Sequence, residues 1–517
     1  MSELARLAAE IAAHSESPVF GVPGSGATLS LIDEIEKQNR AFILTHFEGA
    51  AGMMAGAVGR LSGRAGLCLS IKGPGLTNMV PGLAVNAFET FPMVAIAEAY
   101  GAGTAAAKAH KRIDQAILTS TVSKGITQWT GASASFAEIA SLAENETPGP
   151  VILELAQPEP SSPSPLPARV LEMGKADVGK FVDLIRRSSK PIVIAGSLAI
   201  RRGWSAALNA LQVPVFSTAS AKGIINENRP HAAGVYTGVG LELSPERNLL
   251  SEADLVVCLG MRPSEVLATK PFGPPTINIA AVPVEGEDAF AFAATAGVQI
   301  ADEALEALSK KSWGEDKVSE ARRRMQGALL SDHFLPAHVF ERTMAHFNGH
   351  VRAVFDTGYF CTIAEHSWRS NNASLCLMSG QGRYMGTGIP MGLGAAVYDP
   401  SVPHVVFLGD GGIGPFVGEV KLAVERKLPL LFCLLTDGYL SSIRTRAMTD
   451  KLTQRPVRIG KPSWLPVFEG FGMPVFHADS EDGFARALTS WRSADGPAFV
   501  EVSFDPDPYE AMVKGIR

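Results

Sequence analysis

The stretch HVVFLGDGGIGPFVGEVKLAVERKLPLLFCLLTDGYLSSI, residues 404–443, decides the reading of this chain. An apolar run ends in Gly409-Asp410-Gly411-Gly412, a helical pattern follows, and a second apolar run ends in Thr436-Asp437-Gly438-Tyr439. Apolar runs without alternation suit strands of a parallel sheet covered on both faces, and the intervening helix supplies the crossover. Such open sheets bind ligands beyond the carboxyl ends of their strands. The glycines Gly409, Gly411 and Gly412 would let backbone N–H groups approach phosphate oxygens, and the start of the following helix adds a favourable dipole. Asp410 and Asp437 would each end a strand and offer hard oxygens to Mg²⁺. A GDG is common in α/β turns. Strand, GDGG, helix and a second strand-end Asp together make a site for a diphosphate held through a metal.

The same alternation extends in both directions. Towards the N-terminus, strand-like runs are AFILTHF (41–47), GLCLSI (66–71), PMVAIAE (92–98) and VILELA (151–156), with helical patterns at Gly49–Leu61 and Leu76–Phe88. PEPSSPSPLPA (158–168) can sustain neither a helix nor a central strand and reads as a linker. A second unit holds PIVIAG (191–196), PVFST (214–218), DLVVCLG (254–260) and TINIA (276–280), and a charged helix is expected from Glu303 to Leu330. The third holds RAVFD (352–356), SLCLMS (374–379), the two strands of 404–443, and AFVEVSF (498–504). The expected fold is α/β, three consecutive doubly wound parallel-sheet domains at 1–157, 176–330 and 331–517, with a linker at 158–175. The first and third domains look like related layers around a spacer.

The 404–443 stretch resembles the thiamine-diphosphate-binding motif of the acetolactate synthase, pyruvate decarboxylase and benzoylformate decarboxylase superfamily. There a GDG is followed by an Asn that ligates the metal, plus a backbone carbonyl two residues on. The 27 residues from Asp410 to Asp437 match that spacing. The resemblance implies thiamine diphosphate and Mg²⁺ as cofactors, with Asp410 and Asp437 as side-chain ligands and Tyr439 as carbonyl donor. Asp437 stands where the family usually has Asn.

The first domain is similar to the family's pyrimidine-binding domain: Glu48, Ala51, Ala55, Arg60 and Gly63, then Gly73-Pro74-Gly75 with Asn78, and Phe91-Pro92. A lone Glu at a helix start is explained by the helix dipole. Within this pattern the resemblance gives Glu48 the catalytic role, a hydrogen bond to N1′ of the aminopyrimidine that promotes loss of the thiazolium C2 proton. SGQGRYMGTGIPMGLGAA (379–396), with Gly382, resembles the segment that holds the aminopyrimidine. Met385 would be the bulky residue under the bent cofactor, or alternatively a core methionine. FGVPGSG (20–26), with Gly24, resembles the loop facing the cofactor's C2. The resemblance further implies a homodimer or homotetramer, with the active site between the pyrimidine-binding domain of one subunit and the diphosphate-binding domain of another. The family's central domain sometimes binds FAD or ADP. Here Gly196 and Gly260 end strands without the remaining glycines of GxGxxG, so FAD is not expected.

The implied substrate is a 2-oxo acid. Ser25 falls where benzoylformate decarboxylase-like enzymes have a substrate-contacting Ser; the alternative is a helix N-cap. AKAHKRIDQ (107–115) packs Lys108, His110, Lys111 and Arg112 together. Lys111, with His110 beside it, is a candidate partner for a substrate carboxylate, against the alternative of a solvated charge run. Arg444 is a candidate under the same alternative. The paired histidines of pyruvate decarboxylases are missing from the first domain, and Ile71 stands where benzoylformate decarboxylases have an active-site His. Simple decarboxylases need an acid to protonate the enamine. The expected reaction is therefore decarboxylation with carboligation of the enamine to an acceptor aldehyde or ketone, acetolactate synthase-like. Alternatives are a simple 2-oxo acid decarboxylase or C–C lyase, a non-catalytic thiamine-diphosphate-binding homologue, and an FAD-containing oxidase.

The formal charge of −6, without a Lys/Arg run, gives no reason to expect nucleic acid. The five cysteines lack metal-ligand spacing and read as reduced core residues of a cytoplasmic protein. MSELARLAAEIAAH reads as an amphipathic helix, and no uncharged run is long enough to span a membrane.

Overall fold

The computed structural model describes residues 2–101, 103–130, 134–157, 170, 172–174, 178–513 and 515–516. Most of the linker expected at 158–175 lies outside the described residues. The chain divides into two compact units. One comprises residues 1–170, 389–401 and 415–430; the other comprises 171–388, 402–414 and 431–517.

The first unit is built on strands β1 (Val19–Gly21), β2 (Phe42–Leu44), β3 (Gly66–Ser70), β4 (Met93–Tyr100), β5 (Gly125–Gln128) and β6 (Pro150–Gln157). They pair in parallel in the order β2-β1-β3-β4-β6-β5. The amphipathic N-terminal segment forms the helix Glu3–His14, capped by the Ser2 hydroxyl. The helix Glu48–Ser62 is rich in Ala and Gly because another helix, Pro74–Glu89, lies directly against it. A Cβ at Gly52 would sit 3.0 Å from Gly82 Cα, and Asn86 Nδ2 donates to the Gly52 carbonyl at 2.7 Å. The helix stops at Gly63, whose φ of 70° suits glycine.

The second unit carries two sheets. Strands β7 (Pro191–Ala195), β8 (Val215–Ser217), β9 (Ala232–Val235), β10 (Leu255–Leu259), β11 (Thr276–Ala280) and β12 (Ala294–Gly297) run in the order β12-β11-β10-β7-β8-β9. Strands β13 (Arg352–Phe355), β14 (Cys376–Met378), β15 (His404–Gly409), β16 (Leu430–Thr436), β17 (Val475–Ala478) and β18 (Ala498–Ser503) run β14-β13-β15-β16-β18-β17. Counted from the first strand of each, the sheets of β1–β6 and β13–β18 share one order, 2-1-3-4-6-5. Their direction of winding reverses between the first and third strands, at β1/β3 and at β13/β15. Those are the crevices where doubly wound sheets bind ligands. The β7–β12 sheet reads 3-2-1-4-5-6, the dinucleotide-binding order. At its own reversal, however, the buried Glu265 carboxylate takes the Ser197 N–H and the Ser197 and Thr218 hydroxyls. A donor that a phosphate would use is thus already held by an anion.

The single helix expected from Glu303 to Leu330 is two, Ala301–Ser309 and Glu315–Leu329. The break falls at Gly314, where φ is 81°. All five cysteines are free and buried. Among the described residues no helix is long and apolar enough to cross a membrane.

Candidate active site

At the β13/β15 crevice, Asp410 follows β15 and Asp437 follows β16. Asp410 Oδ1 accepts from the Thr436 hydroxyl at 2.7 Å, and Oδ2 accepts from the N–H groups of Asp437 and Gly438 at 3.0 and 2.9 Å. That clamps the turn carrying Asp437, which Gly438 closes with φ 85°. Asp437 Oδ1 accepts from Tyr439 N–H at 2.9 Å and Oδ2 from the Ser441 hydroxyl. Burial pushes both carboxyls up, Asp437 to about 6, with the Asp410 charge adding to the rise at Asp437. Two adjacent carboxylates withdrawn from water in one crevice, Asp437 buried and Asp410 half-buried, are relieved by a cation.

These residues line a cavity of about 300 Å³ together with Gly409, Gly411, Met385 and Tyr439. A Cβ at Gly411 would lie 2.6 Å from Met385 Sδ, and one at Gly412 would lie 2.0 Å from Asp356 Oδ2. At Gly412 the buried, hydrogen-bonded Asp356 leaves no room for a side chain, whereas at Gly411 the Met385 side chain would have to move aside. Met385 is 43% exposed, so its alternative role as a core residue fails. The helix expected directly after GDGG starts later, at Val420, after a turn and a short 3₁₀ segment. The helix start on the cavity belongs instead to Ser441–Thr449. Gly382 lies in the loop before the helix Gly388–Tyr398 and is not among the lining residues. Arg444 turns aside: it pairs with Asp507 at 2.8 Å and stacks 4.7 Å from the Tyr439 ring.

Asp356, which sequence reasoning passed over, directly follows β13 and is fully buried. It accepts from the N–H groups of Thr357 and Gly386 at 2.6 and 2.9 Å, anchoring the segment that bears Met385. Burial pushes its carboxyl up to about 6. Its only sequence signal is an Asp closing an apolar run.

At the β1/β3 crevice, Gly24 and Ile71 meet, with a Cβ on Gly24 falling 2.2 Å from Ile71 Cγ2. Ser25 is exposed, and the N-cap of the next helix is Gly26 without a side-chain bond, so the capping alternative for Ser25 fails. Glu48 opens its helix and is 7% exposed. Asn78 Nδ2 donates to Glu48 Oε2 at 3.2 Å, and a Cβ on Gly75 would lie 3.3 Å from Oε1. One carboxylate oxygen is held, and the other faces a glycine. His110 is exposed, with its carbonyl accepting from the Tyr100 hydroxyl at 2.9 Å. Lys111 lines a separate cavity of about 490 Å³.

A second residue missed in the sequence is Glu419, in the same unit as Glu48. The helix at Glu48 has no side-chain cap of its own. Glu419, 1% exposed, supplies one: Oε1 accepts from the N–H groups of His46 and Phe47 at 3.0 and 2.9 Å. Glu419→Ala removes the carboxylate that accepts both N–H groups and leaves a void where a buried side chain stood. It is expected to cost about 1–3 kcal/mol, seen as a lowered Tm. An unchanged Tm would show that the carboxylate does not hold this helix start.

Three family models match the chain. "Thiamine pyrophosphate enzyme, N-terminal TPP binding domain" covers residues 4–118, the central-domain model covers 178–308, and the C-terminal TPP-binding-domain model covers 356–502. Among curated proteins, a catabolic acetolactate synthase from Raoultella terrigena is 27% identical over 96% of this chain and 94% of its own length. An acetolactate synthase from Arthrospira platensis is 24% identical over 97% and 94%. A protein described as a probable 2-ketoarginine decarboxylase from Pseudomonas aeruginosa is 24% identical over 95% and 92%.

Proposed function

Because the chain belongs to the thiamine-diphosphate-dependent enzymes, we propose that it decarboxylates a 2-oxo acid and joins the remaining carbon unit to an acceptor aldehyde or ketone. The observation that carries this reading is the carboxylate pair of half-buried Asp410 and buried Asp437, at the strand ends of a glycine-lined cavity.

The residues present fit the cofactor and its metal. Among the described residues no three His, Cys, Asp or Glu side chains converge on one point. A site of two carboxylates and the Tyr439 carbonyl suits Mg²⁺, which keeps waters and takes its remaining ligands from phosphate. Gly409, Gly411 and Gly412 admit a diphosphate against the backbone. Met385 supports the pyrimidine end with Gly382 in the same segment, and Gly24 borders the reacting side. Bound thiamine diphosphate supplies the carbon nucleophile and the electron sink. Glu48 holds the proton that must move at the pyrimidine ring, through the carboxylate oxygen left free by Asn78. In this reading Glu48 of one subunit serves the Asp410–Asp437 site of another, in a homodimer or homotetramer.

Carboligation is preferred over simple decarboxylation because Ile71, an apolar residue, stands beside Gly24. No imidazole is offered there to protonate the product carbon. The relatives named acetolactate synthase point the same way.

Calorimetric titration of thiamine diphosphate into metal-stripped protein, with and without Mg²⁺, tests the site. Magnesium-dependent binding is expected, followed by CO₂ release from a panel of 2-oxo acids. Absence of binding under both conditions would overturn the reading in favour of a non-catalytic homologue.

A further inference from the structure

The cavity beside Lys111 is assigned no part in the reaction proposed above. It is lined by Lys72, Tyr100, Lys111, Arg112, Gln115 and Glu154, among others. It lies close to Glu48. Gly75 packs on the Glu48 carboxylate, while a Cβ at Gly73 would lie 2.1 Å from the Lys111 carbonyl. Two residues of backbone, at most about 7 Å, separate those contacts.

The acids of this cavity are already engaged. Glu154 accepts from the amides of Gln115 and Gln128 at 2.6 and 2.9 Å. Asp114 caps a helix through Ile117 N–H at 2.9 Å. The cations are less committed. Lys72 bonds the buried Glu98 at 2.8 Å and lies 5.0 Å from the centre of the Tyr100 ring. Arg112 lies 5.4 Å from that ring's centre and donates to the Thr104 carbonyl at 3.1 Å, leaving further guanidinium N–H groups to donate. The Lys111 ammonium has no partner among the described residues. Its backbone is held at φ 65°, a left-handed conformation that costs a lysine free energy. The result is a polar cavity whose carboxylates are satisfied, while the Lys111 ammonium and part of the Arg112 guanidinium still have hydrogen bonds to give.

We infer that this cavity is a second anion subsite: the substrate is a 2-oxo acid whose side chain ends in another acidic group, a carboxylate, sulfonate or phosphonate. The inference rests on the reading of Glu48 as lying at the reaction centre. Lys111 and Arg112 bind the distal anion, and Tyr100 and Lys72 form the wall behind it. The same cations disfavour a substrate with a cationic tail.

The test compares kcat/KM of the full chain, loaded with thiamine diphosphate and Mg²⁺, across two sets of acids. The tailed acids are 2-oxoglutarate, 3-sulfopyruvate and phosphonopyruvate; the neutral ones are 2-oxobutyrate and 2-oxohexanoate. In parallel, ligand-observed NMR follows glutarate and butyrate binding to the cofactor-free protein. At least one tailed acid is expected to be preferred tenfold or more, and the three arms identify which anion. Lys111→Asn, which keeps a residue tolerant of the left-handed backbone, and Arg112→Gln should each lower that preference roughly ten- to a hundredfold. Both should weaken glutarate binding.

Preference for neutral acids, or a tailed-acid preference untouched in the double variant, would overturn the subsite. If no 2-oxo acid is turned over yet glutarate binds in a Lys111-dependent way, the proposed reaction fails and the subsite stands. If turnover is found with no preference for any of the three tailed acids, and glutarate binds no better than butyrate, the subsite alone fails.

Discussion

Glu48→Gln lowers the rate of 2-oxo acid decarboxylation by roughly two to four orders of magnitude, the usual weight of a positioned proton-transfer group, and leaves the fold and cofactor binding largely intact. The change is isosteric. Asn78 Nδ2, which now donates to Glu48 Oε2 at 3.2 Å, can donate equally to the amide oxygen of Gln. The other arm then becomes an NH₂, which cannot take up a proton. Because that arm faces Gly75 and the helix start is held by Glu419, no cavity opens and no cap is lost. Steady-state CO₂ release, with calorimetric cofactor affinity as the control for folding, separates the two effects. Full activity in the variant would remove Glu48 from the chemistry.

The second large effect is expected at Asp437. Asp437→Ala removes a proposed metal ligand together with the acceptor of Tyr439 N–H. It should weaken magnesium-dependent thiamine diphosphate binding by at least about a hundredfold, above the loss seen when only a ligand's supporting partner is removed. Asp437→Asn should behave differently. Its amide oxygen can keep the Tyr439 bond while its NH₂ donates to the Ser441 hydroxyl, which rotates to accept. It also relieves the like-charge contact with Asp410. Titrations of the two variants should therefore diverge: lost metal dependence in Ala, retained metal dependence in Asn. Equal, wild-type-like titrations of both would mean that the metal is held elsewhere.

The strands that end in Asp410 and Asp437, the glycine turn between them, and the helix opened by Glu48 were all legible from residues in order. Each depends on local chemistry: apolar runs that suit buried strands, glycines where a Cβ has no room, a carboxylate at a helix start. The four-residue strands β5, β9, β12 and β17 were not legible. Each lies at a sheet edge, and β5, β12 and β17 are only partly buried. A half-covered strand need not be apolar, so it leaves a weak pattern. The split of the 303–330 segment was also missed, because the helical period continues past Gly314 while the backbone does not.

Asp356 and Glu419 mark the deeper limit. Neither has a motif of its own. Each became significant only because folding buries its carboxylate against backbone donors distant in sequence, Gly386 for Asp356 and His46 and Phe47 for Glu419. Strand order decided the rest. The reversals at β1/β3 and β13/β15 set Gly24 beside Ile71 and Asp356 beside Gly412. The close approach of two crossovers is a property of sheet topology, and local pattern carries no record of which strands become neighbours.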